Sequence, residues 1–156
     1  MQPTDARIEL RSDTADALAL VHAWGRAFNH RDLARMLALS APDIELATPQ
    51  HADRGHDAVR RLLHLQSYGV AQHIRAQRYI ARGATVIVEA VIELRWVDSG
   101  GLADTMRGVA VFDVQDDRIS RFRPLPDLDA AFRVAGWTGH PESDEGRHSS
   151  TQPSSV

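Results

Sequence analysis

The stretch that decides the fold, residues 106–125, reads MRGVAVFDVQDDRISRFRPL. Apolar and polar side chains alternate on both sides of its centre, which is the pattern of two half-buried strands. The central Gln115-Asp116-Asp117 is short and polar, as tight turns are. The stretch therefore predicts an antiparallel hairpin with strands at 106–114 and 118–125.

Two further strands are predicted upstream of this hairpin, at 73–81 and 85–97. They are separated by Arg82-Gly83, and Ser99-Gly100-Gly101 supplies the turn into the hairpin. Downstream, Asp127 is placed to cap a short helix that stops at Gly136. The C-terminal half of the domain is thus predicted to be mainly a meander of strands.

The N-terminal half has a different pattern, with apolar residues at helical spacing. Ala17, Val21, Trp24 and Phe28 share one face of a helix, while His22 and Arg26 fall on the opposite face. The predicted elements are helices at 15–29, 32–39 and 57–68, a strand at 44–48 and a polar loop at 49–54. Helices followed by a run of strands predict an α+β fold, with a curved sheet around the helices and a pocket between them.

Composition bounds the organisation of the chain. Its 156 residues, 43% of them hydrophobic, suit one domain. We expect a loosely ordered lead-in at 1–13, the domain at 14–137 and a disordered tail at 138–156. The tail has almost no apolar residues whose burial would offset the conformational entropy lost on ordering.

Several classes of function are disfavoured by composition. The formal net charge of -3 gives no basic field for nucleic acid, and no apolar run approaches the roughly 20 residues that span a membrane. The chain has no Cys and no Lys, which excludes disulfides, thiolate chemistry and a Schiff-base lysine. We expect a cytoplasmic protein without nucleic-acid or membrane partners.

Three segments, taken in order, resemble the SnoaL-like members of the nuclear transport factor 2-like superfamily. They are AWGRAFNHRDLARMLALSAPDIEL, RGHDAVRRLL and GVAVFDVQDDRISRFRPLPDLDAAF. The resemblance covers nearly all of residues 15–133. It implies a cone-shaped α+β fold in which a bent, mixed or antiparallel sheet wraps around the N-terminal helices and encloses a pocket. Polyketide cyclases, ketosteroid isomerases, limonene-epoxide hydrolases and non-catalytic binding domains share that fold, so the fold alone does not choose among them.

The resemblance also shows what stands at the positions where those enzymes keep their reactive groups. The isomerases' basic Asp corresponds to Thr48, their oxyanion-binding Tyr to Trp24 and their protonated Asp to Ala110 or Val109. Pro124 stands where the epoxide hydrolases have a catalytic Asp. None of these side chains exchanges protons usefully near neutral pH. We expect them to line an apolar pocket instead, and the predicted substrate-binding residues are Trp24, Leu46, Thr48, Gln66, Ala110, Phe122 and Pro124.

The best titratable candidates lie in the segment HADRGHD, residues 51–57. His51 and Asp53 stand where the family's pocket opens, and a His beside a carboxylate is a common acid/base pair. The competing interpretation is a solvated loop in which His56 or Asp57 caps the following helix. The spacing matches no metal motif, so we predict no metal and no organic cofactor.

Two functions remain open from the sequence. One is a cofactor-free cyclase, isomerase or hydrolase acting on a polyketide- or terpenoid-like substrate, with His51 and Asp53 as its catalytic residues. The other is a non-catalytic module that binds an apolar small molecule or pairs with another domain. In either case we expect a homodimer through the outer face of the sheet, near Val109 and Val111. Ion pairs involving Glu89 and Glu93 would lie on the same face.

Overall fold

The computed structural model describes residues 3–47, 51–64 and 69–138, with the side chains of the first helix described from residue 14 onward. Within these residues the helices are α1 (Pro3–Asn29), α2 (Leu33–Leu39), α3 (His56–Leu63) and α4 (Leu128–Ala135). The strands are β1 (Ser40–Ala47), β2 (Ala52–Arg54), β3 (Val70–Arg82), β4 (Thr85–Trp96), β5 (Leu102–Gln115) and β6 (Arg118–Leu125).

The strands form one open, mixed sheet in the order β2-β1-β6-β5-β4-β3. Strands β3 to β6 are the predicted antiparallel meander, and β5 and β6 are the hairpin at 102–125. Strand β1 joins the sheet by pairing in parallel with β6, which places Leu46 opposite Phe122. The α+β prediction and the cone-shaped family fold are therefore confirmed.

The two faces of the sheet carry separate apolar cores. The face that bears Ile44, Val88 and Phe112 is called the inner face, and helices α1, α2 and α3 pack against it. The outer face bears Ile87 and Val111, because side chains alternate along each strand.

Helix α4 covers part of the outer face, where Phe132 packs against Ile80, Ile87 and Val111. We expected every helix on the inner face, and that expectation is wrong for α4. Val111 is only 1% exposed beneath this helix, so it is not available to the dimer contact predicted for it. The apolar stripe of α4 needs a partner, and the outer face supplies one.

Several elements differ from the sequence prediction, most of all in the N-terminal half. Helix α1 begins at Pro3, where we expected a lead-in, because residues 5–11 are mostly good helix formers that follow a proline suited to the first helical position. Strand β1 begins at Ser40 and contains Pro42. The expected polar loop includes the short strand β2, which pairs with β1.

The predicted ends of the two short helices are confirmed. The Asp32 carboxylate accepts a hydrogen bond from the Arg35 amide at the start of α2, and Asp127 does the same for Ala130 at the start of α4. Gly136 ends α4 with φ 73°, a left-handed conformation in which glycine is favoured. Helix α3 is different, since Gly55 stands at its N-cap and neither His56 nor Asp57 caps it.

The exposed edge of β3 is partly closed by side chains from the end of α1. The Asn29 amide donates to the Ile74 carbonyl and accepts from the Ile74 amide, both at 2.8 Å. Arg31 adds a bond from its guanidinium to the Gln72 carbonyl at 2.7 Å. These contacts replace the partner strand that an edge lacks, and they fix α1 against the sheet.

No helix in the described part of the chain is long and apolar enough to cross a membrane.

Candidate functional site

An aromatic cluster forms the centre of the inner face. The Trp24 ring lies 5.2 Å from Phe122 and 5.4 Å from Phe112, and the two Phe rings lie 5.0 Å apart, all measured between ring centroids. Trp24 and Phe112 are buried, whereas Phe122 is only partly buried. Two predicted binding residues, Trp24 and Phe122, therefore lie in this cluster and pack against each other.

The polar end of Trp24 is already occupied. Its indole N–H donates to the Ser40 hydroxyl at 2.9 Å, and that hydroxyl donates to the Met36 carbonyl at 2.6 Å. Ser40 is 1% exposed. The N–H of Trp24 is therefore satisfied within the protein interior, where the residue itself is 3% exposed.

A row of small and aromatic side chains crosses the inner face beside this cluster. In the strand register Tyr79 lies opposite Val88, Val88 opposite Ala110, and Ala110 opposite Pro124. Tyr79, Ala110 and Pro124 are only partly buried, although they lie on the face that the helices cover. We call these four residues the inner row.

The next pair of residues along β4 and β5 also has small side chains, since Ala90 lies opposite Gly108. A side chain at Gly108 would come within 2.7 Å of the Ile92 terminal methyl, so Ile92 lies across the glycine.

The candidate pair His51 and Asp53 lies at the β2 end of the sheet. Asp53 is directly opposite Leu46 in the antiparallel ladder, which puts the two side chains on the same, inner face. The Asp53 carboxylate accepts two hydrogen bonds from the Arg61 guanidinium, at 2.6 and 2.8 Å. These bonds, with the nearby Arg54 amide and the charges of Arg61 and His51, lower the pKa of Asp53.

His51 itself is exposed, and it makes the smallest of the contributions that lower the pKa of Asp53. Asp53 is therefore ionised and is held in place by Arg61 of α3. His51 is the more exposed of the two side chains. The other histidine of the segment, His56, is turned toward the core, with its Nε2 3.2 Å from the Ser40 carbonyl oxygen.

Leu46 is 8% exposed and belongs to the inner core, next to Phe122. Two predicted binding residues, Thr48 and Gln66, lie outside the described residues.

One group of polar residues was not predicted as a site from the sequence. The His22 ring on α1 lies 4.1 Å from the Tyr79 ring on β3, centroid to centroid. Burial and the nearby Arg26 lower the pKa of His22, and burial raises the pKa of Tyr79. His22 is exposed, as the helical pattern predicted, but that pattern could not show its contact with a strand that is distant in the sequence. The available signal was the spacing of His22 and Arg26, four residues apart on one helix face.

The outer face carries a network of ion pairs. Arg78 contacts Glu89 at 2.7 Å, and Glu93 is contacted by Arg95 at 2.8 Å and by Arg75 at 3.4 Å. These contacts confirm the interpretation of the two glutamates as cross-strand ion-pair residues.

A polar cavity of about 330 Å³ opens farther along the outer face. The residues that line it are Asp43, Glu45, Arg54, Asp113, Val114, Gln115, Ser120 and Arg121. Arg121 and Arg54 both bind Glu45 there, so most of the charge of its walls is neutralised within the chain. Among the described residues no group of three or more His, Asp or Glu side chains is arranged to hold a metal ion.

Comparison with solved structures finds the same fold in bacterial proteins. A protein of Xanthomonas campestris, designated a polyketide cyclase, is 26% identical with a TM-score of 0.63, over 78% of this chain and 97% of its own. An LEH-like epoxide hydrolase of Mycobacterium tuberculosis is 26% identical with a TM-score of 0.62, over 77% and 89% of the two chains.

A third protein, from Kribbella flavida and designated a ketosteroid isomerase, is 21% identical with a TM-score of 0.61, over 92% and 93%. At that identity the likeness shows the fold alone. No curated protein matches the chain by sequence.

The family itself is given by the sequence profile of the SnoaL-like domain, which matches residues 21–122. The match extends from α1, through the inner aromatic cluster, to Phe122 on β6. It covers more than half of the chain and includes most of the inner face. The protein therefore belongs to the family of SnoaL-like domains, within the nuclear transport factor 2-like fold.

Proposed function

We propose that this protein binds an apolar small molecule of the polyketide or terpenoid class on the inner face of its sheet. The observation that carries the proposal is the partial exposure of Tyr79, Ala110 and Pro124 in the inner row. Apolar side chains that the helices leave partly uncovered form a surface that a ligand would bury. The partly buried ring of Phe122 continues that surface toward β1.

Family membership supports the choice of ligand class, because one solved relative that is 26% identical is designated a polyketide cyclase. The inner row contributes shape and apolar area rather than charge. Binding at such a surface needs neither a metal nor an organic cofactor.

A neutral fluorescent probe, N-phenyl-1-naphthylamine, tests the proposal directly. We expect its fluorescence to rise on binding to the wild-type protein. Ala110→Leu would fill the inner row and weaken binding about tenfold or more. The control Val91→Leu enlarges a side chain on the outer face and should leave affinity unchanged. A wild-type protein that does not bind the probe, or equal binding by Ala110→Leu, would contradict the proposal.

A second candidate function is acid–base catalysis on the bound molecule by His51, with Asp53 as its partner. The specific observation that favours it is the position of Asp53 opposite Leu46, on the inner face. The Arg61 contacts hold the carboxylate in one orientation and keep it ionised, which suits a group that orients an imidazole. The reaction would be a cyclisation, isomerisation or hydrolysis.

Turnover of a terpenoid epoxide and of a Δ5-3-ketosteroid, followed by product chromatography, tests this candidate. His51→Gln should lower kcat about a hundredfold or more, the usual scale for a lost acid–base group. Thr48→Val is the control and should change mainly KM. Absence of turnover of either substrate would leave the non-catalytic binding module as the function, and an active His51→Gln variant would exclude His51 as the reactive group.

We also propose that the protein is a homodimer. Three large apolar side chains are exposed at the end of the β4–β5 hairpin, namely Trp96, Val97 and Leu102. Exposed apolar residues that lie close together commonly mark an interaction surface. Sedimentation at micromolar concentration should give a dimer that Trp96→Gln with Leu102→Gln converts to a monomer, and a wild-type monomer would contradict the proposal.

A further inference from the structure

The contact between α1 and β3 contains three polar groups that the packing of the domain does not require. His22 and Arg26 lie one turn apart on α1, so their side chains project from the same part of the helix surface. Tyr79 comes from β3, and its ring lies against the His22 ring. We call His22, Arg26 and Tyr79 the α1–β3 triad.

The triad adjoins the apolar surface described above. Tyr79 is the first residue of the inner row and packs with the inner core through part of its ring. One end of the row is therefore polar, while the opposite end, at Ala110 and Pro124, is apolar. A molecule that covers the row would have its polar end at α1.

Arg26 has no ion-pair partner among the described residues. On the outer face of the sheet, by contrast, the guanidiniums of Arg75, Arg78, Arg95 and Arg121 are all paired. Arg26 follows His22 by one turn on the same face of α1, and its positive charge acts to lower the pKa of both His22 and Tyr79. An unpaired guanidinium beside an apolar surface is a suitable partner for an anionic oxygen.

The other two groups add hydrogen-bond donors to this cation. The lowered pKa of His22 keeps its imidazole neutral at pH 7, with one N–H to donate, and the raised pKa of Tyr79 keeps its phenol protonated. Neither group would repel an anion.

We propose that the α1–β3 triad recognises the anionic oxygen of an amphiphilic ligand, a carboxylate or sulfonate, whose apolar body lies along the inner row. The assignment rests on the proposed binding of apolar molecules to the inner face and specifies which of them are preferred. Arg26 supplies the charge, and His22 and Tyr79 supply the donors that orient the anionic group.

Two probes that share an apolar frame separate this proposal from the binding function on which it rests. They are 8-anilinonaphthalene-1-sulfonate, which carries the anion, and neutral N-phenyl-1-naphthylamine, and both are titrated at low salt. We expect the wild type to bind the sulfonate more tightly. Arg26→Gln should weaken sulfonate binding about tenfold, the scale of one lost charged contact, and leave neutral-probe binding within about twofold.

Tyr79→Phe should weaken sulfonate binding severalfold by removing one donor while keeping the ring. Arg35→Gln removes the same charge from an exposed site on α2 and is the matched control, with no expected effect on either probe. If the neutral probe binds but the sulfonate is not preferred, or if Arg35→Gln acts like Arg26→Gln, the triad has no such role. If neither probe binds, the apolar binding function fails, and the triad assignment fails with it.

Discussion

The indole N–H of Trp24 and the hydroxyl of Ser40 form a buried hydrogen bond of 2.9 Å that joins α1 to the start of β1. The Ser40 hydroxyl in turn donates a hydrogen bond to the Met36 carbonyl in the last turn of α2. Three elements are thus linked by one side chain that is 1% exposed. The bond gives the polar end of Trp24 a structural role in the core.

Replacement of Ser40 by Ala should destabilise the fold. The Trp24 N–H would lose its acceptor in the core, and an unsatisfied buried donor costs about 1–3 kcal/mol. Urea unfolding would measure the change in the free energy of unfolding. In the double variant Trp24→Phe with Ser40→Ala, the two losses should be clearly non-additive, because both remove the same bond. Additive losses would show that the bond contributes nothing.

Replacement of Asn29 by Ala should loosen the edge of β3. The variant would leave the Ile74 N–H and C=O without the amide that binds both, at a cost of about 1–3 kcal/mol. Hydrogen exchange at Ile74 should accelerate, and light scattering should show more association through the opened edge. Gln72→Ala, an exposed change on the same strand, is the control. Unchanged exchange at Ile74 would rule out this role for Asn29.

Replacement of Arg61 by Gln should raise the pKa of Asp53 toward the ordinary Asp value, because the two guanidinium bonds are the main cause of its lowered pKa. A carboxyl whose pKa is lowered on folding stabilises the protein above its unfolded pKa and loses that contribution as the pH falls. The wild type should therefore lose stability on acidification through this range more steeply than Arg61→Gln. NMR titration of Asp53 measures the pKa, and Arg60→Gln, whose partner is the exposed Asp57, should leave it unchanged.

The pKa of His22 should lie below the ordinary His value of about 6.5, and Arg26→Gln should move it upward. Burial and the Arg26 charge both disfavour the imidazolium in the folded state, so the unfolded chain binds the extra proton more readily. The contribution of His22 to stability is therefore complete above the unfolded pKa and declines as the pH falls below it. NMR titration of the His22 ring checks the direction, and a pKa above the ordinary value would be the opposite result.

The sequence predicted those parts of the fold whose causes are local. The hairpin at 102–125 has alternating side chains and a polar turn, and Asp32 and Asp127 cap helices through contacts three residues away. Strand β2 was missed because it has three residues and becomes a strand only by pairing with β1. The position of α4 was missed for a related reason, since an apolar stripe shows that a helix needs a surface but not which face of the sheet provides it.

The candidate site was likewise predicted only where its contacts follow from local sequence patterns. Alternation along the strands put Leu46 and Phe122 on the inner face, and the structure brings them together across β1 and β6. The partner of Asp53 was not evident, because Arg61 reaches it only when α3 folds back over β2. The contact of His22 with Tyr79 depends on where α1 crosses the sheet, which the spacing within either segment does not encode.

The parallel pairing of β1 with β6 has a consequence for synthesis on the ribosome. Glu45 and Arg121, which meet across this pair, are 76 residues apart in the chain. At roughly 5–20 residues per second, β1 would leave the ribosome several seconds before its partner exists. During that interval Ile44 and Leu46, both buried in the finished fold, lack the strand that covers one side of them. Until Arg118–Leu125 has been synthesised, the nascent chain lacks the strand that joins β1 to the rest of the sheet.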